Sequence, residues 1–229
     1  MENLRPNEQR AKNAITMIWF VFALEIVSLI SGYMQYDLLQ FAANGGEIST
    51  DTANVNDTRE QIIAILYLIV YIISGVTFIQ WFRRAYFNLH IRVNRLSHSE
   101  GWAAGSWFVP VINLFRPYQI MKELYHETIN LLVKKGFIAN DSLSTEYLGP
   151  WWALWIINNF LGQAVFRSSI NSSTVDELIN STLLNMFGNL IGIPLALITI
   201  KVIKDYSKIE PMLHEIKDEE VVSTEEKLA

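Results

Sequence analysis

The sequence predicts an all-α polytopic membrane protein with four transmembrane helices, a proline-broken re-entrant or interfacial segment and a cytoplasmic amphipathic helix. Two segments, 14–33 and 62–81, carry one charge and no charge over twenty residues each. Twenty helical residues extend about 30 Å, the thickness of the hydrocarbon core of a bilayer. The third observation is the placement of the basic residues, which limits the number of crossings as described below.

Composition excludes several classes of protein. A soluble chain of 229 residues would have to bury two long uncharged helices completely, which is a poor alternative. The absence of cysteine excludes disulfides, thiolate metal sites and cysteine nucleophiles. The first apolar segment is too long for a signal peptide and lacks a cleavage pattern, so we expect a retained span. A net charge of −5 without a basic stripe argues against nucleic acid.

The chain is predicted to begin with a cytoplasmic segment, 1–13, which is followed by a membrane domain, 14–204. The second span, 62–81, is followed by residues without proline and with apolar positions at helical spacing. This helix should therefore continue out of the bilayer and end near residues 97–101. Later apolar segments predict spans at 150–166 and 178–203, and Pro194 should kink the second. The acidic tail, 205–229, is predicted to be disordered and cytoplasmic.

The segment 102–116 starts as an apolar run and is broken at Pro110. The residue before a proline avoids the helical region, and broken backbone at membrane depth requires protein or water partners, one of which is Asn113. The segment therefore dips into the membrane and returns, or lies at the interface with Trp102 and Trp107 as anchors; a full crossing is the third alternative. Pro117 then opens an amphipathic helix, 117–135, that lies on the membrane or on the bundle.

Basic residues accumulate on the cytoplasmic side of bacterial membranes. If residues 102–116 do not cross, sixteen of the eighteen Lys and Arg residues face the cytoplasm. A fifth crossing would leave eight inside and ten outside. The distribution therefore predicts four crossings, with both termini in the cytoplasm.

Several motifs in the middle of the chain resemble a known family. They are Trp81-x-x-Arg84-Ala85-Tyr86-x-Asn88, Gly105-Ser106-Trp107-Phe108-Val109-Pro110, Asn113-Leu114-Phe115-Arg116-Pro117-Tyr118-Gln119 and Trp151-Trp152. Together they resemble the uncharacterised bacterial membrane family called domain of unknown function 4328. The resemblance is close over residues 81–155 and extends to the outer spans only in hydropathy. It implies a multi-pass protein of the bacterial inner membrane, and it implies no reaction and no catalytic residue.

Polar residues within the predicted spans form the first candidate site. Glu25 lies near the middle of the first span, where an acidic residue costs about 2.5–3.5 kcal/mol on insertion scales. It is either a proton- or cation-handling carboxylate or a neutral group hydrogen-bonded between helices. Amides on other segments either line a polar path or join helices, and the pair Gly188 and Gly192 supports close helix packing. The candidate intramembrane polar site comprises Glu25, Asn113, Asn158, Asn159, Asn185 and Asn189.

A second candidate site lies at the predicted cytoplasmic interface. Arg84 and Arg116 fall inside the resembling motifs, and with Trp102 and Trp107 they are candidate contacts for anionic lipid headgroups or a protein partner. The alternative is that these arginines serve topology alone. The histidines show no metal-ligand pattern, and the sequence predicts no metal, cofactor or catalytic residue.

Two functions remain open from the sequence. The favoured one is a non-enzymatic accessory or scaffold protein that docks a partner or lipid at its cytoplasmic face. The alternative is a small proton- or cation-linked transporter or channel that uses Glu25 and the intramembrane asparagines. A membrane enzyme acting on lipid is the least supported.

Overall fold

The computed structural model describes residues 4–138 and 144–216, and these residues form helices joined by short connections. Four long helices form the body of the protein: α1 (Glu8–Ala43), α2 (Thr50–Arg92), α5 (Leu148–Asn171) and α6 (Val175–Ile209). Between α2 and α5 lie α3 (Trp102–Gly105), a 3₁₀ turn (Ile112–Leu114) and α4 (Arg116–Lys134), and α7 (Met212–Glu215) follows α6. Helix α1 packs along α2 and α6, and α5 packs along α6.

The long helices run alternately up and down between two ends of a bundle. The short connections 44–49 and 172–174 lie at one end, called the hairpin end, where the Gln35 amide donates a hydrogen bond to Thr182 Oγ1 at 3.0 Å. The opposite end carries Arg5, Arg10, Arg83 and Arg84 and is called the basic end. Helices α1 and α6 are therefore antiparallel over most of their length.

Within the described residues, three helices are long and apolar enough to cross a membrane: α1, α2, and α6 together with its extension to Glu215. They include the predicted spans 14–33, 62–81 and 178–203, and each continues beyond them. Capping residues set two of the starts. The Ser49 hydroxyl accepts a hydrogen bond from the Thr52 N–H before α2, and Thr174 forms a capping box with Glu177 before α6.

Helix α5 contains the predicted span 150–166 but is not among the three apolar helices. Its 24 residues would extend about 36 Å. The amides of Asn158, Asn159 and Gln163 lower its hydropathy, whereas Phe160 and Phe166 on its surface are exposed. The helix therefore has the length of a span and carries exposed apolar side chains together with polar ones.

Several predicted boundaries are wrong. Helix α2 ends at Arg92 rather than near residues 97–101, because Val93 is extended and the chain turns there so that the Ser97 N–H reaches Glu123. The first helix starts at Glu8, inside the segment 1–13. The predicted tail is ordered up to residue 216 because Tyr206 and Leu213 are fully buried; residues 217–229 lie outside the described residues.

The segment 102–116 enters and leaves the bundle at the basic end. It contains α3, turns, the 3₁₀ turn and the first residue of α4, and it has no helix of the length that a bilayer crossing requires. Trp107 packs edge-on against Phe78 with ring centroids 5.6 Å apart, and Trp152 Nε1 donates to the Leu114 carbonyl at 3.0 Å. Val111, directly after Pro110, has a φ of 66°, a conformation that a β-branched residue rarely adopts.

The hydrophobic core lies toward the basic end, where α4 covers the bundle. One face of α4 is buried, as the amphipathic pattern indicates, and its residues are Pro117, Ile120, Met121, Leu124, Tyr125, Thr128, Ile129 and Leu132. The Tyr125 hydroxyl donates to the Val202 carbonyl of α6 at 2.6 Å. Helix α4 thus packs on the bundle itself.

Candidate functional site

Two cavities lie between the long helices and meet at Glu25. The first, called the polar cavity, has a volume of about 330 Å³ and reaches from Glu25 to Glu60 and Ser169 near the hairpin end. The second, called the aromatic cavity, has a volume of about 220 Å³ and reaches from Glu25 toward the basic end. Its aromatic lining residues are Tyr71, Phe78, Trp107, Trp151 and Trp155. Glu25 and Asn158 line both cavities, so the two adjoin at these residues.

Glu25 is held at this junction by α2 and α6. Its side chain is only 2 % exposed, and its Oε1 accepts a hydrogen bond from the Tyr67 hydroxyl at 2.7 Å. Tyr67 in turn stacks on Tyr71 with ring centroids 5.9 Å apart. The second oxygen, Oε2, accepts no hydrogen bond from a described residue. The carboxylate therefore has an oxygen available to a ligand in the cavities.

The two glycines of α6 have different surroundings. A methyl group built at Gly192 would overlap the Glu25 carboxylate, whereas one built at Gly188 meets no atom within 4 Å. Gly188 lines the polar cavity, and Gly192 makes room for the Glu25 side chain. The close-packing interpretation of this pair is therefore wrong for Gly188, which adjoins open space rather than another helix.

The predicted intramembrane residues divide into two groups. Asn158, Asn185 and Asn189 line the polar cavity with Glu25. Asn189 is 6 % exposed, and its side-chain Nδ2 is buried without a hydrogen-bond partner among the described residues. Asn159 instead donates to the Trp155 carbonyl at 2.8 Å, and Asn113 lies in the 3₁₀ turn at the basic end. Neither belongs to the residues that line the cavities.

At its hairpin end the polar cavity is bounded by a charged cluster. The Arg59 guanidinium donates to Ser31 Oγ at 2.8 Å and to Asn56 Oδ1 at 2.7 Å, and it lies 3.3 Å from Glu60 Oε1. The Ser31 hydroxyl also donates to Glu60. The arginine therefore partly neutralises the carboxylate that lines this end of the cavity, and the sequence analysis identified neither residue.

The candidate interfacial residues do not form one site. Arg84 is half-buried near Arg5 and Arg10, and Arg5 and Arg84 lie over the Phe87 ring at 4.3 and 5.9 Å. Arg83 is paired with Glu100 at 3.2 Å, whereas Arg5, Arg10 and Arg84 form no ion pair within the described part of the chain. These three residues are called the arginine cluster. It presents positive charge that no described carboxylate balances through an ion pair.

Arg116 belongs to a separate network at the basic end. It contacts His98 Nδ1 at 3.1 Å and lies 5.9 Å from the centroid of the half-exposed Trp102 ring. Burial and the Arg116 charge lower the pKa of His98. The nearby Glu123 accepts hydrogen bonds from the Tyr86 hydroxyl and the Ser97 N–H, both at 2.6 Å. Burial raises the pKa of Glu123, but these hydrogen bonds outweigh it and the pKa lies below the ordinary value.

A network of polar side chains joins the start of α1 to the end of α6. It lies outside the apolar segments of both helices. The amides of Asn7 and Asn88 donate to Glu210 at 2.9–3.1 Å, and Asn88 also bonds the backbone of Arg5. Burial raises the pKa of Glu210 to about 7 although these hydrogen bonds and the Arg84 charge oppose it. Sequence reasoning missed this group because its members lie as many as 203 residues apart.

The three long apolar helices indicate a helical protein of the membrane type. Within that class, the profile of the family described as Domain of unknown function (DUF4328) matches residues 44–208. The chain belongs to this family, as the central motifs indicate. No curated protein and no solved structure matches the chain.

Proposed function

We propose that this protein binds a proton or small cation at Glu25 within the bilayer and conducts it along the two cavities. The observation that carries the proposal is the burial of one carboxylate at the junction of both cavities. A buried acidic residue in a membrane helix is costly to insert, and such residues mark ion and proton pathways. The unpartnered amide of Asn189 and the open oxygen of Glu25 support a polar occupant in the same cavity.

The proposal rests on a specific orientation in the membrane. Helix α5 serves as the fourth transmembrane helix, and the basic end faces the cytoplasm of a bacterial cell with both termini. Residues 102–116 then form a shallow re-entrant or interfacial segment at that face. The polar cavity accordingly opens toward the outside, and the aromatic cavity leads toward the cytoplasm.

Flux measurements on the reconstituted full chain test this function. In vesicles with an enclosed pH dye and an imposed potassium gradient, we expect a proton or cation flux that Glu25→Gln abolishes. Asn158→Ala should reduce the flux because Asn158 lines both cavities, and Asn159→Ala is the matched control because Asn159 bonds the Trp155 carbonyl. Each variant must keep the melting temperature of the wild type. Equal flux in the wild type and Glu25→Gln would overturn the proposal.

The arginine cluster supports a second candidate function, the docking of anionic headgroups at the cytoplasmic face. Three guanidinium groups without a described ion-pair partner attract a lipid phosphate, and juxtamembrane arginines each contribute about 1 kcal/mol near an anionic surface. Phosphatidylglycerol retained through purification and counted by native mass spectrometry should fall in Arg84→Gln. Arg95→Gln is the matched control because Arg95 is exposed and lies outside the cluster. Equal retention in both variants would remove this candidate.

A further inference from the structure

The aromatic cavity is larger and more apolar than proton or metal-ion conduction requires. A proton needs only carboxylates, hydroxyls and water, and small inorganic cations prefer oxygen ligands. Five aromatic residues line this cavity, and three of their ring pairs, Phe78–Trp107, Phe78–Trp151 and Trp107–Trp155, lie with centroids 5.4–6.2 Å apart. The proposed function therefore leaves this half of the path unexplained.

The carboxylates that line the cavities are those of Glu25 and Glu60, and within the described residues only Glu60 has an arginine, Arg59, paired with it at 3.3 Å. The lining residues themselves include no lysine, arginine or histidine. Aromatic faces attract cations through their quadrupole, and a carboxylate adds a point charge at one end of the cavity. The site is thus complementary to a positively charged ligand and repels an anion.

Size supports an organic ligand rather than a bare ion. Sites for drug-sized molecules occupy about 300–1,000 Å³. The aromatic cavity alone is smaller than this, at about 220 Å³, but it shares Glu25 and Asn158 with the polar cavity of about 330 Å³. A ligand can therefore place its apolar groups among the rings and its positive charge beside Glu25.

We infer that the occupant of the aromatic cavity is a lipophilic organic cation, such as an aryl or alkyl quaternary ammonium or phosphonium compound. This inference rests on the proposed function and names the class of its substrate. Trp107 and Trp155 form the apolar wall, Glu25 supplies the counter-charge, and Tyr67 orients that carboxylate through its hydrogen bond. The competing occupant of such a cavity is a lipid acyl chain, which carries no charge there.

Two probes of similar shape and opposite charge separate these occupants. We expect the purified full chain in detergent to bind tetraphenylphosphonium in a calorimetric titration and not to bind tetraphenylborate. Glu25→Gln should weaken phosphonium binding by at least about tenfold, since it removes the counter-charge. Trp155→Leu keeps apolar bulk but removes a π face, and it should weaken binding by about fivefold. Trp19→Leu is the control because Trp19 is 43 % exposed on α1.

The outcomes distinguish this inference from the function on which it rests. Equal binding of both probes, or phosphonium binding that Glu25→Gln does not change, would show an unspecific apolar pocket and overturn the inference. Glu25-dependent proton flux without phosphonium binding would overturn the inference and leave the proposed function in place. Glu25-dependent phosphonium binding without any flux would support the inferred ligand class and overturn conduction.

Discussion

The placement of Glu25 against Gly192 provides the most direct test of the site. In Gly192→Ala the added methyl group would overlap the carboxylate, which must shift and thereby disturb the 2.7 Å hydrogen bond that it accepts from the Tyr67 hydroxyl. Overpacking typically costs about 1–3 kcal/mol, and loss of a hydrogen bond to a charged group costs about 1.5–3 kcal/mol. The better helix propensity of alanine offsets about 0.8–1 kcal/mol. We therefore expect the free energy of unfolding to fall by about 1.5–5 kcal/mol.

Gly188→Ala is the matched control, one helical turn away on the same helix. No atom lies within 4 Å of the added methyl group, so only helix propensity acts and stability should be unchanged or rise by up to about 1 kcal/mol. Both variants are compared by reversible unfolding of the full chain in mixed micelles with increasing dodecyl sulfate. Flux through Gly188→Ala should decrease, because the methyl group occupies part of the polar cavity.

A double variant isolates the cause of the effect. In a Glu25→Ala background the carboxylate is gone, so Gly192→Ala should cost no more than Gly188→Ala does. If Gly192→Ala and Gly188→Ala are equally stable in the wild-type background, the carboxylate does not lie against α6. The cavities would then not meet at Glu25, and the reasoning about the site would be refuted.

Three further predictions concern topology and the basic end. A cysteine introduced at the exposed Ser144 should be protected from an impermeant maleimide in intact cells, and a cysteine introduced at Ser173 should be labelled. Labelling of both positions would show that α5, which lies between them, does not cross the membrane. The lowered pKa of Glu123 means that its stabilising contribution is present above its unfolded-state pKa and is lost as pH falls through its folded pKa. The free energy of unfolding should therefore fall more steeply toward acid pH in the wild type than in Glu123→Gln, and the variant should be less stable at neutral pH. Unfolding followed by circular dichroism at several pH values measures both, and equal slopes would contradict the prediction. The pKa of Glu210 is raised from 4.5 to about 7, so the folded state holds this proton more tightly than the unfolded state does. The free energy of unfolding should therefore fall as pH rises between these two values. An identical dependence of that free energy on pH in Glu210→Gln would contradict the prediction.

The sequence predicted the elements whose signals are local. The long apolar runs predicted α1, α2 and α6. The helical spacing of apolar residues after Pro117 predicted α4 and its buried face. The helix that begins at Trp102 ends at Gly105, before it reaches Pro110. The predicted positions of the helix ends were less accurate. Polar residues continue each helix beyond its apolar segment, and hydropathy does not indicate where such polar helical turns end.

The parts that sequence could not predict depend on which helices are neighbours. Asn158 and Asn159 are chemically identical and adjacent, yet only Asn158 faces the cavities, because the rotation of α5 against α6 decides between them. The spacing of Gly188 and Gly192 indicated a helix contact, whereas the structure has a side chain at one and open space at the other. Glu210 acquires its surroundings through residues 122 and 203 positions away, and Glu60 is joined to Ser31 on another helix, so no local pattern marks either carboxylate.

The bond between Asn7 and Glu210 has a consequence for biogenesis. The first helix packs along the last one, so α1 must enter the membrane long before its main partner is synthesised. During that interval Glu25 has α2 and Tyr67 beside it, but the wall formed by Gly192 has yet to emerge from the ribosome. Assembly of the bundle is therefore expected to finish after translation. A truncated chain that lacks α6 would leave an unshielded carboxylate in the bilayer, which makes such a fragment a substrate for membrane quality control rather than a stable domain.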